Sequence, residues 1–374
     1  MSEVARAHLH AEPAALGEVA NVGPVRIGIV GLGWWACDVH IPNLLQVPGA
    51  AIAALCSRSP AGVERARKAL KGRAERKPTP EGSNAFGRVT GVPAFSTYGD
   101  LLASDAVDAV VLCTPNFTHG PMALQALRAG KHVLIEKPMA TDPAECPPIV
   151  AEAERRGLIV QVGVELRYSD VAQAMRRLIQ QGAIGEPTIL RTNVWRQWGL
   201  PTGWRADMAT SGGLFHELGV HYIDLLNSLA ARPPLWVTAA GGSRLGGRDV
   251  DYAFATIGYE GGAVGAFGMC LFAAGGDKDI TVEVVGPEGR LVGEVGSGTL
   301  GLWPKQGEPV NHSPKRATTE ILGFPGSLES VASFVECVRT GARPSVDAVE
   351  GERLCRACDA ARRSAAACGK REEI

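Results

Sequence analysis

Apolar residues fall first into short unbroken runs and later, past Val164, into alternating ones. The first run, Val25-Arg26-Ile27-Gly28-Ile29-Val30, reads as a strand buried on both faces of a parallel sheet. Ala51–Cys56, Ala94–Phe95, Ala109–Cys113, His132–Ile135 and Leu158–Val164 read the same way. Between them, helical patterns occupy Asp38–Val47 (interrupted by Pro42), Glu64–Leu70, Asp100–Ser104, Pro121–Ala129 and Pro143–Arg156. Gly130 and Gly157 supply stops for the last two. Strand alternating with helix predicts an α/β, doubly wound parallel sheet.

Val171–Gln180 and a long amphipathic stretch inside Gly212–Ala230 are predicted helices. Leu235–Ala240, Asp251–Tyr259, Ala263–Cys270, Ile280–Val285 and Arg290–Val295 then read as extended segments joined by glycine-rich turns. Strands joined so closely predict a C-terminal α+β domain with a large, mostly antiparallel open sheet. Leu328–Arg339 and Ala348–Cys368 are helical. The expected boundaries are a flexible tail at 1–24, a nucleotide domain at 25–145, a substrate and oligomerisation domain at 146–345, and a C-terminal helix at 346–374 packing back on the first domain. Lys71–Arg88, rich in Lys, Arg, Pro, Gly and Ser, reads as an exposed insertion.

The first strand ends in Gly31-Leu32-Gly33-Trp34-Trp35-Ala36, which fits G-x-G-x-x-G/A. Gly31 permits the tight turn, Gly33 lets a pyrophosphate reach backbone N–H groups, and Ala36 lets the helix pack close. The helix N-terminus then faces the anion. Trp34 and Trp35 join the glycines as candidate cofactor contacts. In a chain with 46 glycines the pattern alone decides little, so other residues must support it.

The totals narrow the classes. Lys and Arg number 38 and Asp and Glu 39, a net charge of −1 that gives no general attraction to nucleic acid or anionic membranes. No run approaches the ~20 apolar residues of a membrane span. The first residues lack the apolar core of a signal peptide. Nine dispersed cysteines suggest reduced thiols in a cytoplasmic protein rather than a disulfide framework. Cys355-Arg-Ala-Cys358 lacks a second pair, which disfavours zinc.

Where the second strand ends, a carboxylate would select NAD(H) by binding the adenosine ribose. This chain has Ser57 and Arg58 instead, and Arg58 can meet a 2′-phosphate, which favours NADP(H) over NAD(H). The alternative is a solvated Arg58 and an NAD(H) enzyme. Thr114, Pro115, Asn116 and His119 follow the fourth strand, where ligand-bordering loops lie, or are ordinary turn formers. Glu136-Lys137-Pro138 ends the fifth strand. Lysine there either pairs with a carboxylate or donates to a substrate oxygen and moves a proton.

In Gly212-Gly213-Leu214-Phe215-His216-Glu217-Leu218-Gly219-Val220-His221-Tyr222-Ile223-Asp224, α-helical spacing places Glu217 and Asp224 on either side of His221, where they can orient it and raise its basicity. His216 and His221 are five apart, so a shared metal ion is not expected.

Taken together, Gly31-x-Gly33-x-x-Ala36, Thr114-Pro115 with His119, Glu136-Lys137-Pro138 and Gly219-x-His221-x-x-Asp224 resemble the Gfo/Idh/MocA family of NAD(P)-dependent oxidoreductases. The resemblance runs from Val25 to about Cys368. It implies a Rossmann domain followed by an α/β domain whose open sheet mediates homodimers or homotetramers. It also implies hydride transfer at a secondary alcohol or ketone of a sugar, amino sugar, nucleotide sugar or cyclitol. By the same resemblance Lys137 and His221 are catalytic, His221 taking the hydroxyl proton. Glu136 joins Lys137 at the cofactor. Glu217 stands where the family usually has aspartate, and His216 beside it can also face substrate.

Substrate lining is expected from Arg191–Asp207, which holds three of the seven tryptophans and includes Trp195, Arg196, Trp204 and Arg205. Aromatic faces suit sugar C–H faces and arginines suit anionic groups. Domain or subunit packing is the alternative for these side chains. Two other functions fit less well. NAD-dependent glycoside cleavage through a transient ketone would recycle its nicotinamide, and a non-catalytic sensor would not need Lys137 and His221.

Overall fold

The computed structural model describes residues 23–74, 91–275, 280–315 and 324–374. Residues 1–22 of the expected tail and all but the first residues of the expected insertion lie outside them.

Six short strands, β1 (Val25–Val30), β2 (Ala50–Cys56), β3 (Ala94–Phe95), β4 (Ala109–Leu112), β5 (His132–Glu136) and β6 (Val160–Gly163), form one sheet in the order β3-β2-β1-β4-β5-β6. Every pairing is parallel. The apolar runs are the cause: Ile27 and Ile29 of β1, Leu55 of β2, Val111 of β4 and Leu134 of β5 are fully buried. The order reverses direction between β1 and β4, the place where open α/β sheets bind ligands.

The chain divides after Gly163, not after residue 145. The helix Cys146–Arg156 and β6 complete the parallel sheet, so cutting at 145 would strip an edge strand from it. The helix Ser327–Thr340, expected in the second domain, belongs to this unit too. Its Val331, Phe334 and Val335 enter the core around Ile27 and Leu55, and burying Phe334 alone contributes roughly 1.5–3 kcal/mol. Gln161 Nε2 donates to Ser330 O (2.8 Å), and Asn43 Nδ2 to Ser327 Oγ (3.1 Å).

The second unit runs from Val164 to residue 315 and takes up the chain again at Arg353. Nine strands make its sheet: β7 (Ile189–Trp195), β8 (Pro234–Gly242), β9 (Tyr252–Tyr259), β10 (Val264–Cys270), β11 (Ile280–Gly286), β12 (Gly289–Glu294), β13 (Thr299–Pro304), β14 (Val310–Asn311) and β15 (Glu372–Glu373). Their order is β14-β13-β12-β11-β7-β10-β9-β8-β15, with only β7 and β10 parallel. Leu190, Thr192 and Val194 are buried while Ile189 and Arg191 are exposed, the alternation of a sheet with one face packed. The helix Val220–Ala230 lies on the packed face, where Tyr259 Oη donates to Asn227 Oδ1 (3.0 Å). β7 overlaps the start of the stretch Arg191–Asp207 expected to line the substrate. β13–β15 are too short or too mixed in pattern to stand out.

The last helix, Ala348–Ala366, packs on the parallel unit only at its start, where Gly351 lies against Met139 and Val162; from Arg353 on it belongs to the antiparallel unit. Ser364 Oγ accepts from Ala239 N–H of β8 (2.8 Å), and β15 then adds to the edge of β8. No helix among the described residues is long and apolar enough to cross a membrane.

Candidate active site

The parallel unit holds the features suited to a dinucleotide. Gly31 has φ +83°, a conformation natural to glycine. A Cβ on it would stand 2.6 Å from Cys113 O, so the loops after β1 and β4 touch backbone to backbone at the switch point. Gly33 is the opposite case: a Cβ there would meet nothing within 4 Å. One glycine closes the turn and the other leaves room before backbone N–H groups, so the cradle fits a pyrophosphate. The segment after it opens as a π-helical turn, Ala36–His40, before the short helix Ile41–Leu44.

Trp34 is half exposed. Trp35 turns inward, and its Nε1–H donates to Glu136 Oε1 (2.8 Å). His40 Nε2 is 2.7 Å from the same oxygen, and the Lys137 backbone N–H donates to Oε2 (3.3 Å). Glu136 and His40 are both buried. Trp35 and His40 therefore hold the Glu136 carboxylate at the end of β5, directly before Lys137. His40 went unread in the sequence because its partner is 96 residues away.

Ser57 Oγ accepts from Ser59 N–H (3.1 Å) where the helix Pro60–Ala74 begins, and Arg58 is exposed beside it. Thr118 Oγ donates to Thr114 Oγ (2.7 Å), and Pro115 leads into a short 3₁₀ turn with Asn116 buried in it. His119 is buried with Nδ1 2.7 Å from Pro138 O and Nε2 2.8 Å from Thr114 O. Burial lowers its pKa against the pull of those carbonyls. It is a strut between two loops rather than the ligand-facing group expected.

The antiparallel unit carries His221 on the helix Val220–Ala230, and here the structure corrects the expected neighbours. Phe215–Gly219 is a π-helical turn, so the four-residue spacing assumed for Glu217 and His221 does not hold across it. Glu217 Oε2 accepts from Arg205 Nε (3.1 Å), whose guanidinium stacks 4.4 Å from the Trp204 ring. Asp224 is fully buried and holds Arg167 in a two-pronged pair, with Arg167 Nε donating to Oδ2 (2.8 Å). The carboxylate beside His221 is Glu165, its Oε2 3.3 Å from Nδ1. Glu165 lies two residues past β6, a charged side chain close to the end of a buried strand as Lys137 is.

Three expected substrate residues are elsewhere. Trp195 ends β7 on the sheet's outer face, edge-on to Phe254 with ring centroids 6.0 Å apart. Strand alternation sends Val194 inward and Trp195 outward. His216 is wholly buried, and burial pushes its pKa down to about 4, so it stays neutral as a core residue. Arg196 is buried too, its Nη2 donating to Tyr222 Oη (3.4 Å). Trp204, Arg205 and Glu217 form a contiguous cluster. Among the described residues no three His, Cys, Asp or Glu side chains converge as metal ligands.

Comparison with known proteins agrees with both halves. The family model described as "Oxidoreductase family, NAD-binding Rossmann fold" matches residues 25–164, and the Gfo/Idh/MocA C-terminal domain model matches 172–292. The scyllo-inositol 2-dehydrogenase (NAD(+)) of Bacillus subtilis is 28% identical over 336 residues, 87% of this chain and 90% of that protein. Inositol 2-dehydrogenase 2 of Saccharopolyspora erythraea is 31% identical over 309 residues, 81% of this chain and 77% of that one. In fold, the chain superposes on the aldose-aldose oxidoreductase of Caulobacter crescentus, crystallised with glycerol, at a TM-score of 0.76 and 24% identity, covering 94% of this chain and 100% of that one. With its two domain models matched in sequence order and its relatives spanned over most of their length, this chain belongs to the Gfo/Idh/MocA family of NAD-binding oxidoreductases.

Proposed function

We propose that this protein is a nicotinamide-dependent dehydrogenase or ketoreductase acting on a secondary alcohol or ketone of a cyclitol or sugar. The observation that carries the reading is His221, held on the helix Val220–Ala230 with the Glu165 carboxylate 3.3 Å from Nδ1, an arrangement that suits Nε2 to the role of base. The inositol dehydrogenases among its relatives favour polyols within that class.

Gly31, Gly33 and the Thr114 loop would hold the carrier, which when bound supplies the hydride acceptor. In the oxidative direction the substrate C–H bond gives up its electron pair as hydride, and His221 takes the hydroxyl proton, leaving a ketone. Lys137 donates a hydrogen bond to that oxygen and stabilises its developing charge. Trp204, Arg205 and Glu217 offer the aromatic face and polar groups that recognise a polyol. Between the two carriers, Ser57 and exposed Arg58 support NADP(H), since no carboxylate at the end of β2 repels a 2′-phosphate.

For assembly, the outer face of the nine-stranded sheet exposes Ile189, Leu235, Phe254 and Val264, which supports docking of a second copy there. Cysteines outside any disulfide, most of them buried, support a cytoplasmic setting.

The test is a panel of myo-inositol, scyllo-inositol, glucose and glucosamine offered with NAD+ and with NADP+, following reduced nicotinamide by absorbance. Turnover of at least one of these, faster with NADP+ and losing that preference in Arg58→Ala, is expected. No turnover of any of them contradicts the substrate reading, and a strong NAD+ preference contradicts the carrier reading.

A further inference from the structure

Three carboxylates can be weighed as partners of His221: Asp224, Glu217 and Glu165. Asp224 is fully buried in its pair with Arg167, and Glu217 accepts from Arg205. Each carboxylate that helical spacing would give to His221 is thus held by an arginine. Glu165, from the segment after β6, brings Oε2 to 3.3 Å from His221 Nδ1, with both side chains only 12% exposed. The two atoms lie at ion-pair distance without a formed hydrogen bond in this structure. Tyr222, next in sequence, is buried, and Arg196 donates to its hydroxyl, so this side of the helix is fixed by contacts that do not involve substrate.

We propose that Glu165 is the positioning residue for His221: its carboxylate accepts from Nδ1–H, selects that tautomer, and leaves the Nε2 lone pair as the base. The proposal rests on the reading of His221 as the group that takes the hydroxyl proton. Chemically, the ring must lose its Nε2 proton to be a base, and an acceptor at Nδ1 is what holds the remaining proton on the other nitrogen. As Nε2 takes up the substrate proton, the imidazolium gains a charge-assisted hydrogen bond to Glu165. Glu165 itself neither gains nor loses a proton and touches no substrate atom. It therefore acts on the rate of proton transfer and not on binding.

Glu165→Gln, Glu165→Asp and His221→Ala are compared with the parent on the fastest substrate of the panel above, with both NAD+ and NADP+ supplied. Glu165→Gln is expected to lower kcat by about tenfold or more with KM for polyol and carrier within about twofold, because only a transition-state interaction is lost. Glu165→Asp should recover part of that loss, which a purely packing role would not predict. Independently of turnover and of how the variants fold, ¹⁵N spectra of histidine-labelled parent protein should show His221 protonated at Nδ1. If His221→Ala is inactive while Glu165→Gln keeps full kcat, the inference fails and the reading of His221 stands. If Glu165→Gln instead raises KM at unchanged kcat, Glu165 is a substrate contact and the inference also fails. A parent His221 protonated at Nε2 overturns it directly. Full activity in His221→Ala removes the reading on which it rests.

Discussion

His216 offers the sharpest test of the energetics, because its surroundings fix both the sign and the size of a pH effect. Burial pushes its folded pKa from 6.5 down to about 4, with Asp359, Glu217 and Arg362 as the charged groups around it. The unfolded chain binds the proton more readily, so the stability tied to neutral His216 is complete above about pH 6.5 and drains away as pH falls toward 4. Integrating between those values, the folded state should lose about 2 kcal/mol from this residue alone between about pH 7 and 5. Other histidines add to the same trend: burial also lowers His119 and His132, both in the parallel unit. The measurement is therefore a difference. Urea unfolding of the parent and of His216→Leu at the two pH values should show the parent losing about 2 kcal/mol more than the variant. Equal losses in both would mean that the ring is solvated or paired in solution, and would refute the placement of His216 in the core.

Asp224→Ala separates a structural from a catalytic role. Removing the carboxylate that pairs with buried Arg167 should destabilise the antiparallel unit by about 3–5 kcal/mol, read as a lowered urea midpoint. Intact stability with collapsed kcat would instead restore Asp224 to the catalytic role that helical spacing suggests. Gly31→Ala forces a side chain into φ +83° and against Cys113 O. It should lose at least about 1–2 kcal/mol of stability and weaken nicotinamide binding about tenfold or more, measured by titration calorimetry.

What the sequence revealed follows the range of the interactions involved. The parallel sheet was legible because each of its strands is a local apolar run, and the glycine turn because both glycines act on their own backbone. Lys137 stood out as a charge at the end of a buried strand, and Glu165 obeyed the same rule without being noticed. The errors arose where the outcome depends on distant partners or on one extra residue. The π-helical turn at Phe215–Gly219 re-aims Glu217 and buries His216, and composition gives no sign of it. Arg167 captures Asp224 across 57 positions. Trp195 looked like substrate lining because tryptophan and arginine cluster around it, yet strand alternation sends it to the outer face of the sheet. The helix Ser327–Thr340 returns to the parallel sheet because Val331, Phe334 and Val335 fill its core, a contact that periodicity cannot locate.

The central claim is that His221 takes the proton as hydride leaves the substrate alcohol. Its most direct test is the burst of reduced nicotinamide in a single turnover, comparing parent and His221→Ala on the fastest substrate of the cyclitol and sugar panel. The account predicts a burst in the parent and a rate lowered by about 10²–10⁴ in the variant, with carrier affinity retained. A variant that reduces the carrier at the parent's rate would contradict it.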